Sequence, residues 1–217
     1  VLDVGGEYFL SELDQKSDDE AWTRLLRLLN RYRVKRPLDG LILTLPINEI
    51  YGSRRLGQSA LIERARHIYT KLWKLQNVTG MRIPIYVVVT KCDEIPGFRS
   101  LVCETPGESH EEIFGWSSPY ATDATYGSDW IEDIFAQLHR SINRLRSAIF
   151  TQGVVRDERD GVFLFPMEFM TIKEALGSYL SSIFKQSSYH DSFFLRGVYF
   201  TGKATVQGVP QFTEAGV

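Results

Sequence analysis

The run Ile83-Pro84-Ile85-Tyr86-Val87-Val88-Val89, followed at once by Thr90-Lys91-Cys92-Asp93, most constrains what this chain folds into. Branched side chains are stiff at the first torsion and fit a pleated surface. An uninterrupted apolar run of this length, bounded by polar residues, predicts a strand covered on both sheet faces, as in a parallel sheet between helices. Leu38 to Leu45 is a second apolar run, too short for a helix, and fits another central strand. Between the two, Leu61, Ala65, Ile68, Leu72 and Leu75 recur at the helical period and predict a helix from Leu56 to about Leu75.

The alternation continues on both sides. Val1 to Val4 reads as the end of a buried strand broken by Gly5-Gly6. Ser17 and Glu20 form a capping box ahead of a helix reaching about Tyr32, with Trp22, Leu25, Leu26, Leu29 and Tyr32 on one face. Downstream, the pattern predicts a helix over Asp129–Phe150, a short strand over Gly161–Phe165 ended by Pro166, a helix over Met167–Phe184 and a last strand over Phe193–Thr201. Glu94 to Tyr126 is rich in Gly, Pro, Ser and Glu and reads as a long functional loop with short helical pieces. The fold class is therefore α/β, layered, with a mainly parallel sheet. The expected organisation is an α/β region over 1–126, helices and strands packed on the same domain over 127–202, and a loose tail over 203–217.

Hydrophobic residues make up 43% and charged residues 24% of the 217, enough apolar material for a sizeable core. A formal charge of -2 gives no electrostatic case for binding nucleic acid. Cys92 and Cys103 show neither metal nor disulfide spacing, and the four histidines have no second ligand three or four residues away. No apolar run of the given sequence approaches the ~20 residues that cross a bilayer, and no stretch of it reads as a signal peptide. The chain opens at Val1, inside what reads as a strand, so it is expected to be a fragment of a longer protein. Arg24, Arg27, Arg31, Arg33, Lys35 and Arg36 crowd one stretch. They are either a solvated helix face and its exit or a surface facing anionic lipid or an acidic partner.

Two motifs stand at the carboxyl ends of expected strands, where open α/β sheets place ligands. Asp3-Val4-Gly5-Gly6 is a D-x-x-G, in which the Asp orients a Mg²⁺ shell and Gly6 offers a backbone N–H to a γ-phosphate. Thr90-Lys91-Cys92-Asp93 is a T-K-x-D, related to the N-K-x-D that reads guanine. In that reading Asp93 accepts from the base edge and the Lys91 stem packs on the ring. Asp93 is accordingly expected to be solvent-accessible. A helix, a strand and a second helix separate the motifs, the order a GTPase fold requires. No G-x-x-x-x-G-K-[ST] is present. Gly52 to Ser59 has the glycine spacing but carries Gln58 where Lys belongs and follows the D-x-x-G, so it reads as a turn leading into a helix. Ser109-His110-Glu111 is a trio adjacent only in sequence and is no evidence for a triad.

Five blocks in order carry a resemblance. They are RPLDGLILTLPINEI from Arg36, PIYVVVTKCDEIPGF from Pro84, GWSSPY from Gly115, FLFPMEF from Phe163 and FFLRGVYFTG from Phe193. From Val1 to about Gly202 the chain resembles the cytosolic GTPase-like region of the IcmF/TssM family of type VI secretion proteins. The resemblance implies a P-loop GTPase-like fold, truncated before the D-x-x-G strand, with a C-terminal extension of helices and a strand. In a Ras-like sheet the first strand would lie between the strand ending at Val4 and that from Leu38. It further implies a polytopic inner-membrane protein whose GTPase-like region faces the cytoplasm. Such a protein works with a DotU/TssL-type partner, an outer-membrane lipoprotein and baseplate proteins in anchoring the secretion apparatus. A relative serves type IVB secretion.

With the phosphate loop missing, Asp3, Gly6, Thr90, Lys91 and Asp93 are expected to form an incomplete nucleotide site. No cofactor is expected in the fragment, while GTP or ATP with Mg²⁺ belongs to the parent protein. No catalytic residue and no metal site are expected, and the surface carries the function. Arg27, Arg31, Lys35 and Trp116 are the candidates for facing a partner or lipid, Trp116 lying in a loop whose apolar residues either fold back on the core or dock a partner.

Overall fold

The computed structural model describes residues 15–33, 35, 37–105, 113–153, 159–185 and 192–203. The expected strand at Val1–Val4, with Asp3 and Gly6, lies outside them, as do the Ser109-His110-Glu111 trio and the tail from residue 204. In chain order the elements are α1 (Gln15–Tyr32), β1 (Leu41–Pro46), α2 (Gln58–Thr79), β2 (Pro84–Thr90), α3 (Phe98–Cys103), β3 (Gly115–Ser117), α4 (Trp130–Gln152), α5 (Arg159–Met170), α6 (Lys173–Phe184) and β4 (Phe194–Phe200).

Among the described residues one four-stranded sheet runs β1-β2-β4-β3. β1 and β2 are parallel, with Leu41 opposite Ile85 and Pro46 opposite Thr90. Parallel neighbours need a long crossover, and α2 supplies it. β2 and β4 are also parallel, with a register shift between Ile85 and Tyr86. Leu195 faces Ile85 and Gly197 faces Tyr86, so Arg196 is the extra residue of a bulge. β3 closes the other edge, antiparallel to β4. The sheet thus takes strands from both the 1–126 and the 127–202 segments.

Leu43, Leu45, Ile85, Val87, Val89, Leu195, Val198 and Phe200 form the inner face of the sheet. They share one core with Leu61, Ala65 and Leu72 of α2, Phe135 of α4, Phe165 and Phe169 of α5 and Leu176 of α6. Aromatic contacts knit it: Phe169 meets Phe200 edge-on at 4.9 Å, and Phe114 lies 5.4 Å from Phe169 and 5.5 Å from Phe200. The opposite face is different. Ile42 is 63% exposed, Thr44 is exposed, and Tyr86, Val88 and Tyr199 are half-buried. The expectation that β2 is covered on both faces is met by the described residues on one face only.

α1 is latched to α2. The Trp22 indole N–H donates to the Lys71 carbonyl at 3.1 Å and the Asn30 amide to the Val78 carbonyl at 3.2 Å. Asp19 accepts from Lys71 at 2.8 Å and also from Lys74. Burial raises the Asp19 carboxyl pKa, but the two ammonium groups outweigh it and leave the group lowered. Of the expected stripe, Trp22 and Leu26 are buried, Leu25 and Leu29 half-buried, and Tyr32 exposed. The helix already runs at Gln15, so the expected start at Ser17 lies inside it.

Gly161–Phe165 is not a strand. It opens the helix α5, and Pro166 lies within that helix. Five consecutive residues without charge imitate a buried strand. Here Val162, Phe165 and Phe169 point inward at helical spacing while Phe163, Leu164 and Met167 are exposed. Gly97 and Gly161 permit the close crossing that fixes this helix: a Cβ at Gly97 would lie 2.1 Å from the Gly161 carbonyl oxygen, and one at Gly161 2.4 Å from Ser100 Oγ. The helix expected over 167–184 is instead two, with Ile172 buried in the turn between them.

The 94–126 segment is structured where it is described, by α3 and β3. Trp116 packs 5.9 Å from Trp130, and Tyr120 stacks on Trp130 at 4.3 Å. With Trp116 only 1% exposed, it holds this segment to α4 and is unavailable as a partner-facing residue. Arg82 holds the same segment from the other end. Its guanidinium donates to the carbonyls of Thr122 (2.7 Å), Ala124 (2.9 Å) and Ser192 (3.1 Å) and to Ser192 Oγ (3.0 Å).

Candidate functional site: the carboxyl edge of the sheet

β2 is an inner strand, and Thr90 is its last residue. The chain then turns through Lys91, the only described non-glycine residue with positive φ, at 59°. That conformation is sparsely populated for a residue with a side chain. It starts a single 3₁₀ turn over Cys92–Glu94. The Lys91 side chain is left exposed.

β4 ends beside this turn, and the two exits interlock. Thr201 N–H donates to the Val89 carbonyl at 2.9 Å and Cys92 N–H to the Thr201 carbonyl at 3.0 Å. The Cys92 thiol is buried and donates to the Val89 carbonyl at 3.4 Å. Burial pushes its pKa up to about 12, so the nucleophilic thiolate is suppressed. A Cβ at Gly202 would lie 2.6 Å from Asp93 N and 2.9 Å from Phe98 Cε1, so the β4 exit passes close only as glycine.

Asp93 joins the two turns. Its Oδ1 accepts the Lys203 backbone N–H at 2.9 Å, and its Oδ2 accepts Arg99 Nη2 at 3.0 Å. The side chain is 13% exposed, against 65% for Arg99. The expected solvent-accessible carboxylate is therefore mostly covered and committed through both oxygens. The Lys203 N–H holds its pKa below the usual carboxylate range; burial opposes this and Arg99 adds to it. A base edge would have to compete with the Lys203 N–H and Arg99 for this carboxylate.

Next to this turn, at the exit of β1, Glu49 pairs with Arg64 of α2 at 2.7 Å. Burial raises the Glu49 pKa although Arg64 and Lys91 both act to lower it. Its second oxygen, Oε2, is buried without a hydrogen-bond partner. Tyr51 donates to Glu168 Oε2 of α5 at 2.8 Å, and burial with that carboxylate pushes the phenol up to about 12. The Gly52–Ser59 segment forms the turn that enters α2 at Gln58.

The structure brings together Thr90, Lys91 and Asp93, while Asp3 and Gly6 lie outside the described residues. Arg27, Arg31 and Lys35 are exposed, on or just beyond α1. Sequence reasoning missed Arg99, Gly202 and Lys203, which complete the Asp93 clasp. The signal available for them was position: Arg99 follows the I-P-G-F of one block, and Gly202 ends another. Among the described residues no group of three or more His, Cys, Asp or Glu could hold a metal ion. Nor is any helix there long and apolar enough to cross a membrane.

The match to a known family runs through every described element. Residues 15–215 match the family model of the IcmF-related N-terminal domain. The chain is 30% identical, over 97% of its length, to the type VI secretion system component TssM1 of Pseudomonas aeruginosa. It spans 19% of that relative's length. No solved structure matches the chain. The chain belongs to the family of IcmF-related N-terminal domains.

Proposed function

We propose that this chain is the cytoplasmic-side, GTPase-like region of a type VI secretion inner-membrane component, acting in assembly and anchoring of the apparatus. The name of the relative favours the type VI over the type IVB system. The partners are a DotU/TssL-type inner-membrane protein and baseplate proteins. The outer-membrane lipoprotein is reached through the rest of the parent.

The observation that carries a structural role for this region is the Asp93 clasp. The residue that would read a base is spent on Lys203 and Arg99, so the T-K-x-D works as a joint between β2 and β4. The parallel order β1-β2-β4, with T-K-x-D closing an inner strand, supports a GTPase-like ancestry and keeps a second reading in view. In that reading the parent is a nucleotide switch that uses GTP or ATP with Mg²⁺ and whose phosphate loop lies upstream.

Two measurements test this reading. Calorimetric titration of the chain with Mg²⁺-GTP is expected to give no binding, because phosphate contacts supply much of nucleotide affinity. A dissociation constant tighter than ~10 μM, about -7 kcal/mol, would transfer the site to the switch reading. Charge reversal at Arg27, Arg31 and Lys35 is expected to weaken recovery of the membrane partner and secretion at unchanged thermal stability. Unchanged recovery and secretion would reduce that stretch to a solvated face.

A further inference from the structure

The outer face of the sheet is covered unevenly. Register places Ile42 and Thr44 of β1 beside Tyr86 and Val88 of β2, and these beside Gly197 and Tyr199 of β4. On the β4 side the face covers itself. The Tyr199 ring lies over Gly115 and Gly197, where an added Cβ would stand 2.3 Å and 2.6 Å from the tyrosine. Its hydroxyl pairs with Ser117 Oγ at 2.8 Å, and Tyr86 lies next to it with ring centres 6.3 Å apart. On the β1 side nothing comparable lies down on the sheet, and Ile42 and Thr44 are exposed. β1 is also the edge strand of that half among the described residues. Natural edges are blunted by charge, proline or a bulge. Leu41 to Leu45 has none of these and has the composition of an interior parallel strand.

Topology narrows what belongs there. The steps from β1 to β2 and from β2 to β4 cross the sheet in one direction between parallel strands. The helices of both crossovers share the core of the inner face. Parallel crossovers are right-handed, so a further step in that direction lands on the inner face again. A step the opposite way, outward from β1, puts its helix on the outer face, as in open sheets with helices on both sides. Chain folding back from β4 would first meet the half that Tyr199 already covers. A strand–helix–strand unit takes ~30 residues or more. Residues 1–14 and 204–217 are each too few to supply one, and the chain spans 19% of its relative's length.

We propose that the rest of the parent protein supplies a strand–helix–strand unit that extends the sheet from the free edge of β1. Its first strand pairs parallel to Leu41–Pro46, and its helix lies with an apolar stripe over Ile42 and Thr44. The ladder satisfies the backbone groups of the edge, and the helix buries the half of the face that the tyrosines leave bare. The inference rests on the reading above that this chain is one region of a longer component, and on no nucleotide.

Alkylation of a cysteine placed in the face tests it. Ile42→Cys and Thr44→Cys are made in the 217-residue chain and in the parent protein purified without partners. Labelling is read at each position by peptide mass spectrometry, and hydrogen exchange of the Leu41–Pro46 amides is followed in the same two proteins. In the chain both cysteines are expected to react as exposed thiols. In the parent they are expected to react at least about tenfold more slowly, with more of the β1 amides resisting exchange. A parent that labels at both positions as fast as the chain overturns the proposal. So does a protected face with β1 amides that exchange as in the chain, because whatever covers it then brings no strand. Protection that disappears on dilution to the monomer would make the cover a second copy and likewise end the assignment. A parent with an open face that still recovers its membrane partner and secretes would remove the unit and leave the proposed function standing.

Discussion

Asp93 is the point at which a nucleotide-reading role and a structural role part. As a clasp, its carboxylate accepts from the Lys203 N–H and from Arg99. A hydrogen bond to a charged group contributes ~1.5–3 kcal/mol. We take the low end for Lys203, whose contact is at the surface. Arg99 is mostly exposed, which limits that pair to ~0.5 kcal/mol. Asp93→Ala should therefore cost about 2 kcal/mol. Asp93→Asn keeps a neutral acceptor for Lys203 and should cost about half as much. In a domain of this size that is a fall in unfolding temperature of roughly 4–8 °C for Ala and 2–4 °C for Asn. The difference also depends on pH. A carboxylate whose folded pKa is lowered contributes stability above its unfolded pKa of about 3.9 and loses it as pH falls through the folded value. Thermal unfolding of parent and Asp93→Asn, followed by circular dichroism from neutral to acid pH, should show a gap that narrows below about pH 4. Equal unfolding temperatures at neutral pH, or a gap that does not narrow, would refute the clasp. A base reader waiting in solvent predicts the first of those results.

Gly97→Ala should be among the most damaging single methyl additions, at more than ~3 kcal/mol, because φ there is 83° and the new Cβ would meet the Gly161 carbonyl oxygen. Denaturant unfolding measures it. Gly161→Ala meets Ser100 Oγ and Cβ instead, so Ser100→Gly in the same chain should recover part of its loss, against ~1 kcal/mol for glycine in a helix. Arg82→Met should cost about 2–4 kcal/mol by stripping three carbonyls of their donor. Arg82→Lys should recover only a minor part, since an ammonium lacks the fork. The Cys92 thiol, buried with its pKa at about 12, should resist alkylation near neutral pH at a rate set by unfolding. Rapid labelling of Cys92 in a folded Cys103→Ser variant would contradict that burial.

The elements with one clear period were readable before any coordinates. Ile83–Val89 became β2, the Leu61–Leu75 stripe became the buried face of α2, and Ile134, Leu138, Ile142 and Ile149 became that of α4. The errors fell where local pattern is ambiguous. In Gly161–Phe165, apolar residues line both faces of a helix, and periodicity alone does not separate that from a buried strand. β3 has three residues and exists because the edge of β4 offers it a ladder. The T-K-x-D was legible as a motif, but not the partners of its Asp: Lys203 is 110 residues away.

The sequence by itself therefore determined the α/β class, the carboxyl-edge position of Thr90 to Asp93 and, through five blocks, the family. Local period and turn chemistry dictate the first two, and neither requires distant contacts. Tertiary structure alone decided that Trp116 faces inward, that Gly97 and Gly161 cross, and that Asp93 is spent on Arg99 and Lys203. Those outcomes turn on which segments the sheet brings together. One acceptor near a backbone N–H has the same residue code as one pointing at solvent.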